Sequence, residues 1–393
     1  MNTIRKGYKQ TEVGVIPEDW EVKKIDSEID LLTGYPFKSD NYKSNGIKLL
    51  RGSNIKRGVT DWNEDITQYW IEITSDLKPY ILNDGDIVIA MDGSLVGKSF
   101  ARLTYNDLPA LLLQRVARIR SSKVDVGYLK EFICSEFFTK YCDTVKTSSA
   151  IPHISPKDIR EFSIPIPPTK FEQTAIATAL SDADALISSL EKLIAKKRAI
   201  KQGAMQELLK PKQGWEVSNL SEAVEFLDGQ RRPIKSNERK SGEYPYYGAS
   251  GIIDYVDNYI FDDELILLGE DGENIISRNL PLAFMVSGKI WVNNHAHVLK
   301  PKEQFDIKYL TGYLESLDYS LLNSGTAQPK LNKQACLNIK VSHPNILEQT
   351  RIATILSDMD AEIAGLEEKL SKYKMVKQGM MQELLTGRVR LVD

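Results

Sequence analysis

The stretch GSLVGKS at 93 to 99 has the residue types of a loop that cradles phosphates, with glycines for close backbone approach, a lysine and a serine. Such a loop needs four residues between its first glycine and Gly-Lys-Ser, and only three separate Gly93 from Gly97. The letters that follow, FARLTY, read as a strand where a helix N-terminus would have to receive the phosphate, and the related GENIISR at 272 to 278 lacks the lysine. A turn beside a binding surface fits this stretch better than a nucleotide site. His295 and His297 fall on one face of a strand as metal ligands do, but no third ligand lies near them, and the first half of the chain has Arg115 and Ala117 in those places. Two readings stay open for these histidines: a hydrogen-bonded core position, or contact with a nucleic-acid base or phosphate in company with Asn293 and Asn294. No Gly-x-Ser-x-Gly elbow is present. The Pro167-Pro168 pair stands in IPIPPTK, which is not the Asn/Asp-Pro-Pro-aromatic arrangement of an adenine-N6 methyltransferase. The expectation is a chain without catalytic residues, metal or cofactor of its own.

The elements that would carry these residues can be read from composition and pattern. With 393 residues, 42% of them hydrophobic, the chain is long enough for two or more cores. It has no apolar run of membrane-spanning length, and MNTIRKGYKQTEVGVIPEDW lacks a secretion core, so a cytoplasmic protein with no membrane partner is expected. Cys134, Cys142 and Cys336 are scattered, which suits a reducing compartment. A net charge of −3 argues against coating of nucleic acid or an anionic membrane by bulk charge alone; any such partner must be met locally, and the positive clusters are LQRVARIR at 113 to 120, KKRAIK at 196 to 201 and GQRRPIK at 229 to 235.

The chain is also a repeat. Residues 170 to 209 laid on 346 to 385 give 23 identities in 40, including EQTAIATALSDAD against EQTRIATILSDMD. Upstream the match thins but keeps its order: DIVIAMDG at 86 to 93 with ELILLGEDG at 264 to 272, and RVARIR at 115 to 120 with HAHVLK at 295 to 300. Each constant segment carries a heptad seam: Ile176, Leu180, Ala183, Ile187, Leu190 and Ile194 in the first, and Ile352, Leu356, Met359, Ile363, Leu366, Leu370 and Tyr373 in the second. Prolines stop the chain before each helix, and Pro211 and Gly387 mark the ends. Equal helices with facing seams pair most simply as an antiparallel coiled coil, a rod of roughly 50 to 60 Å at ~1.5 Å per residue with one variable unit at each end.

The variable units show short apolar or alternating runs between Gly, Asn and Asp turns, with one helix each near 127 to 142 and 306 to 322. The fold class expected is α+β: two mostly-β domains at 1 to 169 and 211 to 345, separated by long helices at 170 to 210 and 346 to 393, the latter including a tail, in a pseudo-twofold repeat.

TEVGVIPEDWEVKKI, the IPIPP and EQTAIATALSDADALISSLE helix entry, the KQGMMQELLTGRVRL close and the alternation of variable and constant regions resemble the specificity subunit of type I restriction-modification enzymes over essentially the whole chain. The resemblance implies two target recognition domains, each reading half of a bipartite, asymmetric site in double-stranded DNA. It implies two methyltransferase subunits and further restriction and translocase subunits as partners, with S-adenosylmethionine, Mg and ATP belonging to those partners. Candidate DNA contacts in the first domain are Arg51, Ser53, Asn54, Lys56, Arg57, Ser94, Lys98 and Arg115. In the second they are Arg231, Arg232, Lys235, Tyr246, Tyr247, Ser250, Asn293, Asn294, His295 and Lys330. Arginine can fork onto guanine and asparagine onto adenine. Subunit docking is expected at Met205, Leu208, Leu209, Met381, Leu384 and Leu385, beyond the cleanest part of the seam. A coiled-coil scaffold whose heads grip proteins is the alternative from another class; within the family, a modification-only or fused restriction system would use the same reader.

Overall fold

The computed structural model describes residues 5–148, 150–324 and 328–392. It divides into two compact units, residues 1–189 with 371–393 and residues 190–370.

In the first unit a five-stranded sheet runs in the order Asp30–Thr33, Val116–Arg120, Ile87–Ala90, Phe100–Arg102, Arg57–Gly58. Strand Ile87–Ala90 at its centre is apolar and buried throughout, and Val116–Arg120 beside it is buried as far as Ile119, because each face meets a core of its own. Ile87, Ile89, Ala117 and Ile119 point to a core shared with helix Val126–Ile133 and the start of the first long helix. Val88, Ala90 and Val116 point the other way, onto Leu50 and Leu112 of a three-stranded sheet built from Ala110–Leu112, Ile47–Leu50 and Gln68–Trp70. The period of two along a strand produces this division. The run LLLQRVARIR is broken into two strands by a turn at Gln114 and Arg115. The helix expected near 127 to 142 is likewise two, Val126–Ile133 and Glu136–Val145, because the Ser135 hydroxyl accepts the Phe137 N–H and caps a second start.

The second unit repeats the plan. Its inner sheet has the order Val224–Phe226, Ala296–Pro301, Leu265–Gly269, Ala283–Val286, all antiparallel. Ile266, Leu268 and Leu299 face helix Ile307–Ser316 and the long helices, while Leu265, Leu267 and Val298 face a second core with Ile290 and Val292. An outer four-stranded sheet, Gly251–Val256, Ser241–Gly248, Lys289–Val292 and Phe261–Asp262, carries the latter.

The long helices are Lys170–Leu208 and Ile346–Leu384. Within the first unit Ile176, Ala177 and Leu180 share a core with Met380, Met381, Leu384 and Leu385, and Lys377 donates to Asp184 at 2.5 Å. Within the second, Ile352, Ala353 and Leu356 share a core with Met205, Leu208 and Leu209, and Lys201 donates to Asp360 at 2.5 Å. In each unit the paired segments run in opposite senses, and the two lysine–aspartate pairs are one pair of letters written twice. Of the seam residues, Ile176, Leu180, Leu190, Ile194, Ile352, Leu356 and Ile363 are buried. Ala183, Ile187, Met359, Leu366 and Leu370 are half-buried.

The repeated letters EQT have a physical office. The buried Gln173 accepts the Asp125 N–H at 2.9 Å and donates to the Pro167 carbonyl at 3.0 Å, while Thr174 donates to the Asp125 carboxylate at 3.1 Å. Gln349 accepts the Asp306 N–H at 3.0 Å and donates to the Pro344 carbonyl at 2.9 Å, while Thr350 donates to Asp306 at 3.0 Å. Asp125 and Asp306 in turn cap the helices that cover each inner sheet. Tyr128 and Tyr309, both fully buried, donate to the Pro165 and Ser342 carbonyls at 2.8 and 2.7 Å. Each long helix is thus fastened to its own head by the same clamp. A further fastening belongs to the first unit: Arg390 forks onto the buried Glu172 at 2.7 Å and also reaches Asp19, tying the tail into that unit.

Candidate nucleic-acid interface

In the first unit the turns at the open end of the five-stranded sheet surround a cleft of about 360 Å³ that gathers Arg51, Ser53, Lys56, Ser94 and Arg115, with Asp92 as its one carboxylate. Lys56 lies 3.7 Å from Asp61, and Arg51 spans 3.4 Å to the Ile66 carbonyl, so both are partly held by the protein. Arg115 is 68% exposed and lies 3.8 Å from Asp92. Its backbone has φ of 69°, a left-handed conformation that non-glycine residues hold only when the surroundings enforce it.

Asn54 is corrected. It is fully buried, accepts the Arg51 N–H at 3.1 Å and donates to the Asp61 carbonyl at 2.9 Å, so it holds the turn that presents its neighbours. Arg57 sits at the sheet edge in an ion pair with Glu136. Lys98 is exposed outside the cleft lining. The loop GSLVGKS leads into strand Phe100–Arg102, and its Gly97, at φ 76°, is pressed against Cys142 so closely that a Cβ would lie 2.5 Å from the cysteine Cβ.

In the second unit the equivalent turns carry Asn294, His295 and Lys330, all exposed, with Arg231 beneath them. His295 Nδ1 lies 2.8 Å from Asp271, Lys330 lies 3.4 Å from Glu270, and Arg231 donates to Glu270 and to the Ala296 carbonyl, each at 2.7 Å. Arg231 is 14% exposed and committed inward, so its assignment as a DNA contact is corrected to support of the turn. The same holds for Asn293, which is buried and accepts the His295 N–H at 2.8 Å. Tyr246 is also buried; its hydroxyl accepts the Ile234 N–H at 2.9 Å, and the Arg239 guanidinium lies 4.6 Å from its ring centroid. Tyr247 packs on Phe284, Ser250 lies half-buried in the turn between Ser241–Gly248 and Gly251–Val256, and Arg232 and Lys235 are exposed.

The two histidines part company. His297 is a core residue, held by Asp228 at 2.8 Å and within 2.9 Å of the Leu331 carbonyl. Burial pushes its pKa down, but the hydrogen bond to Asp228, the interaction with Cys336 and the Asp228 charge together outweigh that and lift it to about 10; Asp228, despite burial, is held below the usual carboxylate range by His297. His295 is surface chemistry. Among the described residues no group of three or more His, Cys, Asp or Glu is placed to hold a metal ion, and no helix is long and apolar enough to cross a membrane.

The positive clusters are largely spent. Arg118 pairs with Asp30 and Arg120 forks onto Asp86, while Lys197, Arg198 and Lys201 pair with Glu362, Glu367 and Asp360 across the helices of the second unit. Of the expected docking residues, Leu209, Leu384 and Leu385 are corrected because they are buried, while Met205, Leu208 and Met381 are half-buried against the same two cores. Sequence reading missed Gln114, Asp92 and Asp271 at the turns. It also missed the buried clamp glutamines, for which the doubled EQT was the available signal.

Residues 17–202 and 212–373 match the family model described as type I restriction modification DNA specificity domain. The type I restriction enzyme EcoAI specificity subunit of Escherichia coli is 37% identical over 182 residues, 45% of this chain and 30% of that one. The putative type I restriction enzyme MjaX specificity subunit of Methanocaldococcus jannaschii is 24% identical over 98% of this chain and 97% of its own. The matches to three curated relatives span only 30%, 36% and 43% of their lengths. In fold, the chain is similar to the crystal structure of a type I restriction-modification system S subunit from M. genitalium, with a TM-score of 0.64 at 19% identity over 93% of this chain and 96% of that one. Two matched segments, each a sheet-bearing head joined to a long helix, together cover most of the sequence; the chain belongs to the family of type I restriction modification DNA specificity domains.

Proposed function

We propose that this chain is the DNA sequence-recognition subunit of a type I restriction-modification complex, reading a bipartite, asymmetric site in double-stranded DNA with one half-site per head. The observation that carries this reading is that both heads keep one hydrogen-bonded frame and one clamp while the side chains at their open turns differ, Arg51, Lys56 and Arg115 in one and Asn294, His295 and Lys330 in the other. Equal frames with unequal tips suit a reader of two different half-sites. Exposed cations at the tips supply local phosphate or base contacts, in keeping with a net charge of −3 for the chain as a whole.

The chain itself is non-catalytic in this reading. Two methyltransferase subunits dock on exposed helix faces and transfer the methyl of S-adenosylmethionine to the N6 of adenine; restriction and translocase subunits use ATP and Mg. The test is co-expression with the cognate methylating subunit in a host without adenine methylation of its own, followed by mapping of methylated adenines. The expected result is a split motif that appears only when this chain is present. Methylation without this chain, or with it at a continuous motif, refutes the reading.

A further inference from the structure

The two heads can be superposed residue by residue through their backbone hydrogen bonds. Met91 N–H donates to the Arg115 carbonyl at 2.9 Å, and Glu270 N–H donates to the His295 carbonyl at 2.8 Å. One step further, Ile154 N–H donates to Met91 and Leu331 N–H to Glu270, at 2.9 and 2.7 Å. Gly93 and Gly272, both left-handed at φ 100° and 108°, donate to the Pro152 and Pro329 carbonyls at 3.0 Å. This network makes Asp92 the counterpart of Asp271, Arg115 of His295, and Gln114 of Asn294. The last four occupy the same two-residue turn before the last strand of the inner sheet, and all four are exposed.

Each turn therefore presents an amide followed by a base, and in each the base is met by the carboxylate of an Asp-Gly turn. A carboxylate in a cleft that meets a polyanion, even one half-buried as Asp92 and Asp271 are, weakens the encounter, since like charges repel. Its presence at the same place in both heads, each time on the basic side chain, argues that it serves by aim. The first turn is also backed from behind: a Cβ at Gly34 would lie 2.1 Å from the Leu113 backbone and 2.7 Å from the Gln114 nitrogen. That approach and the left-handed backbone fix the direction in which the Arg115 side chain leaves the turn. A guanidinium matches guanine O6 and N7, an amide matches adenine N6 and N7, and an imidazole offers one donor or acceptor per nitrogen.

We propose that Gln114–Arg115 and Asn294–His295 are equivalent base-reading dipeptides of the two heads, with Asp92 and Asp271 as positioning residues that aim the basic member of each. The proposal rests on the DNA-reading function above. Its test uses the full complex and the methylation map. Arg115→Ala and Asn294→Ala each lose preference at one base of one half-site, about tenfold, and leave the other half-site and the spacing unchanged. Asp271→Ala does the same at the His295 position, and Asp271→Glu restores part of it; a merely structural aspartate would lower methylation evenly with the motif intact. Exchange of Gln114–Arg115 for Asn-His rewrites the first half-site only. If the wild-type complex writes a split motif and these variants write the same motif, at full or evenly reduced level, this inference fails while the reading of function stands. If the wild type writes no split motif, the reading fails and the inference goes with it. Arg115 and Asn294 are surface residues, so their variants remain informative should Asp271→Ala not fold.

Discussion

The clamp glutamines offer the sharpest test of how the heads are fastened to the helices. In the second unit Gln349, 1% exposed, satisfies the Asp306 N–H and the Pro344 carbonyl and makes a longer contact of 3.3 Å to the Gln304 carbonyl. Gln349→Ala leaves a half-buried N–H and a buried carbonyl without partners, at about 1 to 3 kcal/mol each. Water reaches the Asp306 side more easily than the Pro344 side, so the sum is set at about 2 to 4 kcal/mol. A chain of two units has no single unfolding free energy, so the quantity to measure is local. Native-state hydrogen exchange over 306–316 and 346–356 in Gln349→Ala should quicken by roughly 30- to 700-fold, the same energy at 1.4 kcal/mol per tenfold. Gln349→Glu keeps the acceptor, loses the donor and sets a second carboxylate near Asp306, so it should do no better than alanine. Gln173→Ala should act likewise on the first unit. Less than about threefold quickening in Gln349→Ala, or wild-type exchange in Gln349→Glu, would show that water already serves these groups and that the repeated EQT holds nothing.

Three further outcomes are expected. Arg390→Ala strips the buried Glu172 of its forked partner; breaking a buried pair costs about 3 to 5 kcal/mol, and with Arg390 itself 32% exposed the loss should be about 2 to 3, read as a lower urea midpoint of the first unit and partly recovered in Arg390→Ala with Glu172→Gln. His297, raised from 6.5 to about 10, stabilises the second unit in full below pH 6.5 and loses that contribution as pH climbs to about 10, whereas the lowered Asp228 contributes above 3.8 and loses it on acidification; His297→Asn should flatten the alkaline limb of that unit's urea midpoint against pH. Gly97→Ala forces a Cβ into Cys142 at an unfavourable φ, a cost of about 2 to 4 kcal/mol visible as a lower Tm with the far-UV spectrum unchanged.

The long helices were legible because a heptad seam between prolines admits few other solutions, and Lys170–Leu208 and Ile346–Leu384 begin just after those prolines. The strands were legible as short apolar runs, but the division of Ile87 and Val88 between separate cores was not, since only the sheet tells which face is which. Polar residues misled most. Asn54, Tyr246 and Asn293 have the hydrogen-bonding groups of base readers and spend them on their own turns, and Arg118, Arg120 and Arg231 are matched by acids far away in sequence. A side chain's type shows what it can bind; its neighbours decide whether it is free to do so. Leu209, Leu384 and Leu385 looked unclaimed for a related reason, because the cores that bury them are assembled from distant strands and helices.

The doubled fastening separates how a head is held from what it presents. Asp125, Gln173 and Thr174 in one half and Asp306, Gln349 and Thr350 in the other make the same joints, and none of them lies in the open turns. A change of letters at those turns therefore leaves the seating of head on helix untouched.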